Sequence, residues 1–148
     1  MLSIRNLYRE KDFLTEEYNE EPSPSSLTFD SLKGTAVSQV TRFNDYAEKR
    51  DIILKKIQFI DEIIKDFEIQ TCLLSQRHKD ILYTYLHAKD NNHMHEILET
   101  ECHFSISTYR RCFHSLCTEL YKHVDLQRIP TLEDVNEHFY AIIHQLNK

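Results

Sequence analysis

The chain holds a single glycine, Gly34, in 148 residues, and only three prolines, Pro22, Pro24 and Pro130. Tight β-hairpin turns need backbone at positive φ, which glycine, asparagine and aspartate supply most cheaply. A sheet built from hairpins would have little to turn with, so the expectation is helices joined by polar linkers. The same shortage removes glycine-rich loops, whose backbone must approach a pyrophosphate closely, and with them enzymes of the nucleotide-binding type. A hydrophobic fraction of 41% over this length supports one compact core with appendages, and is short for two independent domains.

Four cysteines, Cys72, Cys102, Cys112 and Cys117, are too few and too unevenly spaced for a secreted disulfide framework. The opening "MLSIRNLYREKDF" carries charges where a secretory signal needs an apolar run, and no stretch approaches membrane-spanning length. The reading is a cytoplasmic chain with no membrane partner. The net charge of -6 is unevenly distributed: three basic residues stand against seven acidic in 1–30, two against four in 125–148, and the segment between is neutral. Acid gathers at the two ends, which argues against sequence-blind attachment to nucleic acid.

Helical spacing organises the chain into six segments with no convincing strand. Ile4, Leu7, Tyr8, Leu14 and Tyr18 mark an N-terminal helix, followed by the aperiodic "EPSPSSLTFDSLKG", a linker that leaves the first helix as a detachable arm (1–33). A long helix is expected from about Thr35 to about Phe67, within a segment 34–70. Its later half sets Ile53, Ile57, Ile60, Ile64 and Phe67 at alternating steps of four and three, the spacing of a coiled-coil seam. Two readings stand: a helix packed in its own domain, or a dimerisation seam. Residues 71–126 hold three helices in quick succession. The first is capped by Ser75 and buries Leu74, Ile81, Leu82, Tyr85 and Leu86; a short one turns Met94, Ile97 and Leu98 inward; the third, about 105–123, is capped by Ser105 and buries Tyr109, Cys112 or Phe113, Leu116, Leu120 and Val124. A last helix in 127–148 starts at Thr131, with Asp134 at the capping-box position, and buries Val135, Phe139, Ile142, Ile143 and Leu146.

A short helix, a tight polar turn and a longer helix that is basic at its N-terminal end is the layout of a helix-turn-helix, whose second helix enters the major groove of double-stranded DNA. With Tyr109, Leu116 and Leu120 facing the core, Ser107, Arg110, Arg111, His114 and Ser115 fall on the other side or its flanks. Arg110 and Arg111 are the candidates for base edges, because a guanidinium matches the O6 and N7 acceptors of guanine with two parallel donors. Ser105, Ser107, Thr108 and Ser115 suit short-range contacts, and Arg77, His78 and Lys79 on the preceding helix suit a phosphate.

From Leu73 to Val124 the chain resembles the C-terminal helix-turn-helix of small phage-encoded transcriptional regulators of the RinA and ArpU families, a module similar to region 4 of bacterial sigma factors. The residues that carry the resemblance are "LSQRHKDILYTYL" at Leu74 to Leu86, Glu96 and Ile97 in the short helix, and "FSISTYRR" from Phe104 to Arg111, where Ser105, Thr108, Tyr109 and Arg111 match the family pattern. The family's turn normally holds a glycine, whereas "ETECHFS" has none and reads as a one-residue turn; Leu98 follows "EI" where a small residue is usual. The resemblance implies an all-α helical bundle containing a sigma region 4-like helix-turn-helix, with an N-terminal helical arm and a long preceding helix. It also implies sequence-specific control of phage or prophage genes; a homodimer is expected as well, because a two-fold axis would present two recognition helices to half-sites about one helical turn apart.

Rival chemistries find less in the residues. His93, His95, Cys102, His103, Cys112 and Cys117 crowd one region, yet no CxxC pair exists and Cys112 and Cys117 point apart on a helix, so core thiols are expected and no metal or other cofactor. Adjacent acids such as Asp61–Glu62 and Glu133–Asp134 diverge on their helices, and no enzyme is expected. Two alternatives to DNA regulation remain: a protein-interaction module gripping RNA polymerase or another regulator with the same helices, and a small DNA-packaging subunit, which would form a closed ring.

Overall fold

The computed structural model describes residues 1–20 and 36–146. The expected Pro/Ser linker with Gly34, and the expected burial of Leu146, lie outside the described residues and side chains. Among the described residues there are six α-helices and no strand: α1 Leu2–Glu20, α2 Ala36–Gln70, α3 Gln76–His87, α4 Asn91–Ile97, α5 Ile106–His123 and α6 Leu132–Leu146. A π-helical turn, Leu98–Cys102, continues α4, and a 3-10 turn, Leu126–Arg128, joins α5 to α6. The all-α bundle expected from the scarcity of turn residues is the observed fold.

Helices α1 and α2 run antiparallel, because residues early in α1 meet residues late in α2. The Tyr8 hydroxyl donates to Glu68 at 3.0 Å, Lys11 pairs with Asp61, Lys56 pairs with Glu10 at 3.2 Å, and Arg50 donates to the Tyr18 carbonyl at 2.8 Å. Arg50 also lies 3.8 Å over the Tyr18 ring, a cation–π contact that closes the far end of the pair. Burial and the Glu68 carboxylate both push the Tyr8 hydroxyl well above the usual phenol range.

The N-terminal helix is not detachable. Ile4 and Leu7 are wholly buried and Leu14 nearly so, and α1 packs on α2, α3 and α6 together. Its apolar stripe at steps of three and seven is a core face, and removing it would uncover those three helices.

The isoleucine seam of α2 is likewise occupied within the chain. Ile53, Ile60, Ile64 and Phe67 are buried in the same cluster as Ile4, Leu7, Ile81, Leu116 and Val135, with Ile57 partly buried against it. These side chains already have intrachain partners, so a dimer cannot be built from them without unpacking the core. Of the two readings the spacing left open, the helix packed in its own domain is the observed one. Upstream of the seam, Val40 to Lys49 of α2 is exposed apart from Tyr46.

Helix α6 caps the bundle through Phe59, whose ring stacks on His138 at 5.2 Å and meets Phe139 edge-on at 5.5 Å. Its start is a reciprocal capping box: the Thr131 hydroxyl accepts from the Asp134 amide at 3.1 Å, and the Asp134 carboxylate accepts from the Thr131 amide at 3.0 Å. Those bonds, the backbone one foremost, hold the Asp134 carboxyl below its ordinary value.

Candidate nucleic-acid interface

Helices α3, α4 and α5 form the region in which the helix-turn-helix was expected. Ser75 caps α3 by accepting from the His78 amide at 3.3 Å, Asp90 caps α4 by accepting from the His93 amide at 2.7 Å, and Ser105 caps α5 by accepting from the Thr108 amide at 3.2 Å. Each cap satisfies an amide that the first turn of a helix leaves without an intrahelical acceptor. Helix α5 then buries Tyr109, Leu116 and Leu120 against α3, with Phe113 set between the rings of Tyr85 at 5.3 Å and Tyr109 at 5.9 Å.

The connection into α5 solves the missing-glycine problem in an unexpected way. α4 widens into the π-helical turn, whose first carbonyl is shared: Leu98 accepts from the amides of both His103 and Phe104, the latter at 2.9 Å. His103 ends the turn in the left-handed region, φ 56 and ψ 39, where glycine is the usual occupant. Among the described residues it is the only non-glycine at positive φ. The turn between the π-helical segment and the Ser105 cap is therefore two residues, His103 and Phe104, in place of the one read from the sequence.

The expected contact residues do not share one surface. Ser107, Arg111 and His114 stand exposed along the outward stripe of α5, directly away from Tyr109 and Leu116 by helical spacing. Arg110 is also exposed but sits on one flank, where it borders a cavity with Arg5 and Asn91. Ser115 lies on the opposite flank, its hydroxyl 3.1 Å from His78 Nε2 of α3. Ser105 and Thr108 are engaged at the cap, with their hydroxyls 2.9 Å apart. Arg77 is exposed and stacks 5.6 Å over the Phe104 ring, which ties α3 to the start of α5, and Lys79 is half-buried on another face of α3.

Among the described residues, no carboxylate lies within ion-pairing distance of Arg77, Arg110 or Arg111. Further along α5 Lys122 is neutralised by Glu119 at 3.0 Å, which holds the Glu119 carboxyl below its ordinary value. The positive potential of α5 is thus concentrated in its first two turns. The outward stripe also continues through Thr118 and Tyr121, both exposed, the latter by 72%. Sequence reasoning stopped at Ser115, although the step from His114 to Thr118 and Tyr121 repeats the same four-and-three spacing.

The element before α5 carries exposed acid. Glu96, Glu99 and Glu101, on α4 and its π-helical extension, are all exposed. The crowded histidines and cysteines do not converge: no three His, Cys, Asp or Glu among the described residues are placed to hold a metal ion. His93 Nδ1 instead accepts from the Lys89 amide at 3.1 Å, and the Cys102 thiol lies 3.6 Å from the Thr84 hydroxyl. No helix among the described residues is long and apolar enough to cross a membrane. No family model, curated protein or solved structure matches this chain.

Proposed function

We propose that this protein is a sequence-specific DNA-binding transcriptional regulator of phage or prophage genes, with α5 as the helix that enters the major groove. The observation that supports it best is the first half of α5. Ser107, Arg111 and His114 form one exposed stripe, Arg110 flanks it, and neither arginine is paired with a carboxylate among the described residues. An exposed surface arginine loses little by staying hydrated, but an unpaired one on a helix of groove-fitting width is free to form the bidentate contact to guanine. Arg111 carries the base contact in this reading and Arg77 and Lys79 of α3 hold the phosphates alongside. A two-fold dimer is proposed to place two such helices on one side of the duplex, through a surface other than the buried isoleucines of α2.

A second reading is favoured by a specific feature. Glu96, Glu99 and Glu101 line the element that would cross the DNA backbone, where carboxylates repel phosphates. They suit instead a protein partner with a basic surface, such as RNA polymerase or another regulator. The two readings separate in a footprint of the purified protein on the DNA surrounding its own gene, run at two salt concentrations. A regulator that contacts phosphates protects a defined stretch at low salt and loses it steeply as salt rises. Absence of any protected stretch at low salt would leave the protein-partner reading.

A further inference from the structure

We propose that the open-mouthed cavity between α1, α3, α4 and α5 is a binding site for a small carboxylate that carries an aromatic ring. The cavity measures about 340 Å³, within the range that encloses small organic ligands. Its wall divides into a charged side and an apolar side. Arg5 of α1 and Arg110 of α5 supply the first; Tyr85, Phe113 and Met94 supply the second, with Asn91 as a neutral polar group at the start of α4.

Both guanidiniums line the same cavity, and among the described residues neither has a carboxylate partner within the chain. Arg5 is moreover held in place: one Nη donates to the Ala88 carbonyl at 3.4 Å, and the guanidinium lies 4.9 Å over the Tyr85 ring. Its Nε–H is buried away from solvent with no acceptor, so it is the Nη hydrogens that remain for a ligand. Arg9 shares the Ala88 carbonyl at 3.2 Å, so that acceptor is already divided between two donors. A planar carboxylate is the anion whose geometry fits the guanidinium fork and whose single charge is cheapest to bring beside an apolar wall. The rings of Tyr85 and Phe113, 5.3 Å apart, and the Met94 thioether then offer an aromatic ring edge, face and sulfur contacts. Because the fixed Arg5 does not have to be ordered on binding, part of the usual entropic cost is absent.

Occupancy bears on the proposed function because Arg110 belongs both to this cavity and to the flank of the α5 stripe. An anion that engages Arg110 withdraws a positive charge from the DNA-facing side, so the ligand would act as a negative effector; this clause rests on the DNA-binding reading above.

The test uses the full chain, with phenylacetate as the probe, its neutral amide phenylacetamide and inorganic phosphate as comparisons, and the Met94 methyl resonance as the readout. The expected result is a saturable shift with phenylacetate at millimolar or lower concentration, with the amide and phosphate each at least about tenfold weaker. Arg5→Gln and Arg110→Gln should each weaken phenylacetate by about tenfold or more, and since Arg110 is exposed, its variant reports even if Arg5→Gln fails to fold. No saturable shift, equal binding of acid and amide, equal binding of phosphate, or undiminished binding in the Arg110 variant overturns the site. The titration contains no DNA, so it decides the site whatever the outcome for DNA binding. Addition of saturating phenylacetate to a retarded protein–DNA complex then decides the coupling: a fall in DNA affinity is expected, and unchanged affinity refutes the coupling alone.

Discussion

Leu7→Ala tests whether the N-terminal helix belongs to the core. Leu7 has no exposed surface and lies in the cluster that joins Ile60 and Ile64 of α2 with Ile81 of α3 and Val135 of α6. The substitution removes the equivalent of three methylene groups, about 2.4 kcal/mol of transfer free energy at about 0.8 kcal/mol each. A site walled by helices on several sides collapses only in part, so a cavity term adds to this, giving a loss of about 3 kcal/mol. For a chain of this length that corresponds to a fall in Tm of about 6–12 °C. Urea unfolding followed by far-ultraviolet circular dichroism measures the loss directly, with Phe13→Ala as the internal control. Phe13 lies on the same helix but is 61% exposed, and its truncation should change stability by no more than about 0.5 kcal/mol. A Leu7→Ala loss below about 1 kcal/mol, or an early separate transition for α1, would refute the integral packing of that helix.

Other consequences follow from local features. Burial lowers the proton affinity of His87, which lies against the rings of Tyr8 and Tyr83. Its neutral form is the one the fold accepts, so its contribution is complete above the ordinary imidazole value of about 6.5 and is lost as pH falls towards the lower folded value. Stability of the wild type should therefore decline faster as pH falls below about 6.5 than that of His87→Gln, and identical slopes would remove His87 as the cause. At His103 a glycine relieves the left-handed backbone of its Cβ, and His103→Gly should raise stability by up to about 1 kcal/mol, read from the urea midpoint; a loss would mean the imidazole contributes more than its backbone costs. Thr131→Ala removes one half of the α6 capping box and should cost about 1 kcal/mol in the same assay, whereas no change would mark that helix start as frayed.

Much of the fold was legible because apolar spacing and cap chemistry act over a few residues. The core faces read for α3, α5 and α6 are the buried ones at Ile81, Leu82, Leu86, Tyr109, Leu116, Leu120, Val135 and Phe139, and the three caps at Ser75, Ser105 and Thr131 form as expected. What escaped was set by contacts distant in sequence. The seam of α2 has the same periodicity whether it meets a second copy or α1, and only tertiary packing chooses; the amphipathic α1 looked detachable because its partners lie beyond the linker. His103 carries no sign of left-handed backbone in its own chemistry, since the conformation is imposed by the π-helical turn before it. For the candidate site, the outward direction of Arg111 and His114 was readable from spacing. The cavity shared by Arg110 and Arg5 was not, because 105 positions of chain separate the two.

The central claim, that the first turns of α5 read DNA, is tested most directly by gel retardation of a fragment from the region of its own gene, with wild type compared to Arg111→Ala. The exposed position of Arg111 means that the variant should keep its urea midpoint within about 0.5 kcal/mol. Its affinity should fall by about 1–3 kcal/mol if the guanidinium makes a bidentate base contact, with weaker discrimination between the native fragment and scrambled DNA. Retention of full affinity and discrimination in Arg111→Ala, with the fold intact, would contradict the assignment of α5 to the groove.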